Sequence, residues 1–249
     1  MLLSSYMGGL GMKRVGNLTD DFTIENIIKA YKTVRKNTLN KNKIYKFEEY
    51  YTSNISHVFR LLNDYKVGKY NIFLIKDPKY RIIMSQNIND KIVNHLMADI
   101  LIKVLEPSLI NTNVASRKGK GTSYGIKCLK KYLNSMNGEV HALKFDISKF
   151  FYNIDHGVLK RMLKRKIKDK KYLNILFKII DSTDNDYVNE SILKLKEKEI
   201  NYLKNSNLND KYKRIDEINR IPLYEKGKGL GIGYRNYNIM QTVIMKLCF

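Results

Sequence analysis

Cysteine is scarce in this chain: Cys128 and Cys248 are the two among 249 residues. They lie far apart and outside any paired-cysteine spacing, so neither a zinc ribbon nor a disulfide framework is indicated. His57, His95, His141 and His156 show no ligand spacing either and read as structural. Long apolar runs are also missing, and nothing approaches the roughly 20 consecutive apolar residues of a membrane-spanning helix. The opening Met1-Leu-Leu-Ser-Ser-Tyr-Met-Gly-Gly-Leu-Gly11 lacks the basic start and apolar stretch of a secretory signal. A cytoplasmic protein without a membrane partner is therefore expected. No internal repeat is present. Acidic residues are the other shortage: 24 Asp and Glu stand against 46 Lys and Arg, a formal net charge of +22. Such an excess draws polyanions, nucleic acid before an acidic membrane surface. The abundance of Asn, Ile and Lys accounts for part of it, so charge alone does not assign a partner.

What remains is the sequence of a globular protein. Hydrophobic residues make up 43% of it, enough for a substantial core in one large domain or two small ones. Thr23 to Lys36 is predicted helical, with Ile24, Ile27, Ile28, Tyr31 and Val34 on one stripe. Phe47, Tyr51, Ile55, Val58 and Leu62 mark a second helix, broken by Gly68. Tyr70 to Ile75 and Arg81 to Ser85 read as strands joined at Asp77-Pro78. Asn89 is expected to cap a long helix that ends at Glu106-Pro107. Thr122 or Ser123 should open another, with Ile126, Leu129, Tyr132 and Leu133 inward.

A strand is predicted from Val140 to Ile147, then a helix from His156 to Lys168. That helix would turn Leu159, Met162, Leu163 and Ile167 inward and expose Lys160, Arg161, Lys164, Arg165 and Lys168. Asp184 to Asn219 is polar and charged, and is expected to be a mobile insertion with one helix at Ser191 to Lys204. Strands and helices mix without regular alternation, so the expected class is α+β.

The most informative stretch is Leu143-Lys-Phe-Asp-Ile-Ser-Lys-Phe-Phe-Tyr-Asn-Ile-Asp-His156. Alternation puts Leu143, Phe145 and Ile147 on one strand face and Ala142, Lys144 and Asp146 on the other. A carboxylate at the end of an apolar strand is costly unless something positive meets it, and a divalent metal would serve. The alternative is a buried strand that stops at an Asp. Asp155 directly precedes a helix and reads as its N-cap. Arg117-Lys-Gly-Lys-Gly121 precedes a helix N-terminus, where unpaired amides favour an anion, so Arg117, Lys118 and Lys120 are candidates for binding nucleic-acid phosphate in this basic chain. The spacing is not that of a phosphate-binding P-loop. Nor does Gly227-Lys-Gly-Leu-Gly-Ile-Gly233 have dinucleotide-fold spacing. Its glycines would let backbone approach a base pair closely.

The pattern Asp-Ile-x-x-Phe-Phe-x-x-Ile-Asp-His is filled at every position from Asp146 to His156. It resembles the first catalytic motif of bacterial and phage-type reverse transcriptases, in the style shared by retron, diversity-generating and group II intron enzymes. Further segments follow in the family's order. Phe73-Leu-Ile-Lys-Asp-Pro-Lys-Tyr-Arg-Ile-Ile83 resembles the fingers hairpin that grips the triphosphate. Asn87 to His95, Leu105-Glu-Pro107 and Ala115-Ser-Arg-Lys-Gly-Lys-Gly-Thr122 resemble the next blocks, the last closest to diversity-generating and retron-like enzymes. Gly229-Leu-Gly-Ile-Gly233 resembles the Gly-x-Pro-Ile-Gly motif, with Gly231 in place of Pro and Tyr237-Asn238 where Ser-Gln is usual. Met12 to Leu18 resembles the opening of such enzymes.

The resemblance implies a right-hand polymerase fold and RNA-directed DNA synthesis on an RNA template, with a DNA or RNA primer, deoxynucleoside triphosphates and Mg²⁺. It implies that Asp146 and the Ile147 carbonyl bind metal, and that Phe151 excludes a 2′-hydroxyl. Lys76 and Arg81 would hold triphosphate, and Gly233 would support the nascent pair. The expected organisation is an N-terminal helical extension at 1–40 and a reverse transcriptase domain at 41–249. Within it, fingers would occupy about 41–137 and palm about 138–249, with the insertion at 184–219. The family's Tyr-x-Asp-Asp motif does not occur in the sequence. An incomplete palm without a thumb, inactive alone, is therefore expected. Two alternatives stay open: a non-catalytic nucleic-acid-binding remnant, and a defence-type relative that polymerises without a template.

Overall fold

A computed structural model describes residues 14–114, 117, 119–144 and 146–233. Helices dominate, and among these residues the sheet is a single two-stranded hairpin. Helix α1 spans Ile24–Asn37, and the Thr23 side chain accepts from the Asn26 amide at its N-terminus. Its predicted stripe buries Ile27, Tyr31 and Val34. The predicted second helix is two, α2 at Lys41–Glu48 and α3 at Tyr51–Leu61. Helix α4, Ile88–Leu105, is buried along much of its length, and α1 and α3 pack against it. Its cap is Asn87 rather than Asn89: the Asn87 side chain accepts from Asp90 N at 2.8 Å. Both are asparagines at a plausible start, and the first apolar residue, Ile88, falls directly after the true cap.

Helices α5 (Thr122–Asn134), α6 (His156–Lys166) and α7 (Lys170–Ile180) follow. Asp155 caps α6, accepting from Val158 N at 2.7 Å, as its position before the helix predicts. Leu159 and Leu163 of α6 join α4 and α7 in the main core. Asp169 caps α7 in the same way and also accepts from Thr19, tying the N-terminal segment down. A parallel bridge between Val15 and Ile167 adds to that tie.

Strands β1 (Asn71–Ile75) and β2 (Arg81–Ser85) pair antiparallel, with Ile75 opposite Arg81. Both are expected from the Asp77-Pro78 turn that joins them. The segment after Asp184 departs from expectation. It carries two helices, α8 (Asp186–Lys204) and α9 (Lys211–Asn219), rather than one in a mobile insertion. Val188, Ile192, Leu203 and Ile218 are sparse in sequence but all buried, and they form a second core with Ile82 and Met84 of β2. Few apolar residues suffice because the hairpin supplies the other half.

Among the described residues of the predicted strand at Val140–Ile147, none is in a strand. Strands are stabilised by ladder partners, and none of the described residues pairs with this one, so Leu143 is 87% exposed. Phe145 lies outside the described residues. Helix α5 has the predicted stripe, yet Ile126, Leu129, Tyr132 and Leu133 are exposed rather than inward. Its amphipathic pattern is as read. No described element covers it.

Candidate functional site

The hairpin tip carries Lys76 just past β1 and Arg81 at the start of β2. Arg81 is exposed, and among the described residues no ion pair holds it. Lys76 is engaged: its Nζ lies 2.8 Å from Glu199 Oε1 and 5.2 Å from the centroid of the Tyr202 ring, both on α8. The Glu199 hydrogen bond raises the Lys76 pKa, so its ammonium is retained. The two basic groups thus differ in freedom, and Arg81 is the one presented to solvent.

Arg117 turns inward. Its Nε and Nη2 donate to Glu106 Oε1 at 2.9 and 2.6 Å, and Nη1 donates to the carbonyls of Ile110 and Asn113. With its side chain 6% exposed, the guanidinium ties Arg117 to Glu106, Ile110 and Asn113. Lys120 is more open, donating to Asn111 Oδ1 at 3.1 Å and lying over the Tyr124 ring. Lys118 lies outside the described residues.

Asp146 is exposed, and its Oδ1 accepts from the Ile147 amide at 3.0 Å. The chain then turns through Lys149, whose φ is +52°, into a short 3-10 segment, Phe150–Tyr152. The rings of Phe150 and Phe151 meet edge-on, 5.5 Å apart, and pack against the main core. The Phe151 carbonyl accepts from Leu230 N at 2.7 Å, and the Ile232 carbonyl accepts from Met84 N at 2.7 Å. The glycine-rich run therefore links the Phe151 turn to the hairpin that carries Arg81. Gly233 follows directly. Arg81, Phe151 and Gly233, dispersed in sequence, are tied together by this backbone. The structure does not draw Arg117 into that connection.

Oxygen donors suit a hard divalent cation such as Mg²⁺, which needs six. The Asp146 carboxylate and the Ile147 carbonyl offer two donors of that kind. Among the described residues, the histidine and acidic side chains close enough together to hold a metal ion are His156, Asp181 and Asp184. That trio already has a cation: Lys160 Nζ bonds both oxygens of Asp181. Asp184 Oδ1 is likewise occupied, by the Gly227 amide at 2.9 Å. Its donors include a ring nitrogen, less suited to Mg²⁺ than the oxygens at Asp146. The sequence reading took His156 as structural and overlooked Asp181, Thr183 and Asp184. The available signal was the run Asp181-Ser-Thr-Asp-Asn185, a cluster of capping residues between two helices.

Residues 74–201 match the family model described as reverse transcriptase (RNA-dependent DNA polymerase). Over 100 residues, 40% of this chain, the sequence is 27% identical to the uncharacterized mitochondrial protein ymf11 of Marchantia polymorpha. The aligned stretch spans 13% of that relative's length. The family match begins within β1, takes in the hairpin tip, Asp146 and the Phe151 turn, and runs into α8, while the glycine-rich run at 227–233 lies beyond it. With more than half of its length inside that match, this chain belongs to the reverse transcriptase family.

Proposed function

We propose that the chain is the nucleotide- and template-binding part of an RNA-directed DNA polymerase of bacterial or phage type. The observation that carries this is the backbone linkage from Leu230 to Phe151 and from Ile232 to Met84. It gathers a free arginine, an aromatic and a glycine-rich run into one neighbourhood. Arg81 binds triphosphate through paired N–H groups. Phe151 lies under the sugar and excludes a 2′-hydroxyl, and Gly233 lets backbone approach the nascent pair. Asp146 and the Ile147 carbonyl would hold magnesium. The bound ion would activate the primer hydroxyl and offset charge on the phosphoryl group.

Lys76 reaches phosphate after leaving Glu199. The exposed faces of Lys120, Arg161, Lys164 and Arg165 meet template and primer phosphates. Arg117 supports the loop that presents Lys120, and Lys118 is assigned to phosphate by motif position. A second reading is nucleic-acid binding without synthesis. It is favoured by Asp146 not belonging to the cluster His156, Asp181 and Asp184, the group among the described residues close enough together to hold a metal.

The test is equilibrium binding of magnesium dGTP to the chain loaded with an RNA template and DNA primer. Arg81→Ala should weaken nucleotide binding about tenfold, the scale of one lost charged contact, with duplex affinity nearly unchanged. Loss of duplex affinity alone would assign Arg81 to the template.

A further inference from the structure

Two side chains converge on one backbone atom of the glycine-rich run. The Gly229 carbonyl accepts from His156 Nε2 at 2.7 Å and from Thr183 Oγ1 at 2.9 Å. Both donors come from buried residues, each 2% exposed. A carbonyl has two lone pairs, and here both are met from within the protein. Since a carbonyl can only accept, Nε2 carries a proton. The opposite ring nitrogen, Nδ1, lies 3.1 Å from Asp181 Oδ1 and 3.6 Å from Asp184 Oδ2. The carboxylates thus orient the imidazole from behind while it grips the turn in front.

The backbone repeats the connection. His156 N donates to Gly227 O at 2.9 Å, Gly229 N to Ile154 O at 2.8 Å, and Leu230 N to Phe151 O at 2.7 Å. The last of these fixes the peptide of Phe151 itself. Space is tight as well: a Cβ on Gly229 would lie 2.6 Å from the Tyr224 ring and 3.1 Å from Tyr152 O. A metal ion bound at Nδ1 and Asp181 would have to displace Lys160. The geometry is that of a clamp on the turn.

We propose that His156, assisted by Thr183, is a positioning residue that sets the separation between the Phe151 turn and the Gly227–Gly233 run, and with it the sugar selectivity of the nucleotide pocket. This rests on the assignment of Phe151 and Gly233 to nucleotide above. Movement of Gly229 pulls Leu230, and Leu230 carries the carbonyl of Phe151 with it. Slack at this point gives the Phe151 ring room to retreat from a 2′-hydroxyl.

The test uses the full chain with primer–template and magnesium. A fluorescent deoxynucleotide is displaced by dGTP or by GTP, and the ratio of the two dissociation constants is read. Thr183→Val and His156→Leu should each reduce discrimination against GTP about fivefold, while His156→Gln, which keeps a donor, should stay within about twofold of wild type. Hydrogen exchange at the Gly229 and Leu230 amides should speed up in the first two variants. If His156→Leu does not fold, Thr183→Val carries the test. Faster exchange with an unchanged ratio would overturn the proposal and leave the clamp merely structural. Phe151→Ala separates the two assumptions. If it lowers discrimination while the clamp variants do not, the positioning role fails and the pocket stands. If it too has no effect, the nucleotide assignment of Phe151 fails with it.

Discussion

Lys76, Arg81 and Arg117 are all basic residues beside turns, and nothing in their local sequence tells them apart. The structure does. Glu199 takes Lys76, Glu106 takes Arg117, and Arg81 is left facing solvent. Residue types at the candidate site were therefore legible, and their availability was not, because availability depends on distant acidic partners. His95 shows the same limit. It is buried in α4, and its pKa falls to about 4 through loss of water and the nearby charge of Lys91. A histidine with a lowered folded-state pKa takes up its proton more readily when unfolded. Its effect is absent near neutral pH, and stability is lost as pH falls from the unfolded value near 6.5 toward 4. Between pH 7 and pH 5 this amounts to about 2 kcal/mol. Urea denaturation at the two pH values should show wild type losing about that much more than His95→Leu. Equal losses would place His95 in a wetter environment.

At the level of elements, those that carry their own signal appeared where expected. Helices α1 and α6 show apolar stripes behind a Thr or Asp cap, and the hairpin strands flank the Asp77-Pro78 turn. Two regions depend on partners that local sequence does not identify. The Val140–Ile147 segment has the alternation of a strand but no described ladder partner. Helices α8 and α9 were obscured by their charge, because β2 provides much of the apolar surface they bury. That packing joins the hairpin tip to the segment once expected to be mobile. Ile192 is fully buried in this second core. Ile192→Ala should cost about 2–5 kcal/mol through lost burial and a residual cavity. It should also speed hydrogen exchange along β1 and β2 more than along α1. Uniform acceleration would mean that the two cores open as one unit.

Across the whole molecule, the net charge of +22 is not cancelled by surface pairing. On α6, Lys160 is held by Asp181 while Arg161, Lys164 and Arg165 face outward. Binding to a primer–template should therefore weaken steeply with salt, as phosphate contacts release counterions. A flat dependence on salt would contradict a phosphate-dominated interface. The proposed function is polymer synthesis, and that proposal turns on Asp146. The most direct measurement is primer extension on an RNA template with magnesium, by this chain joined to a segment that supplies Tyr-x-Asp-Asp, wild type beside Asp146→Ala. The account predicts extension by wild type, and a loss of at least a hundredfold in the variant, about 2.7 kcal/mol of transition-state stabilisation. Extension that survives Asp146→Ala would contradict it, and duplex binding without extension by either protein would establish the non-synthetic reading instead.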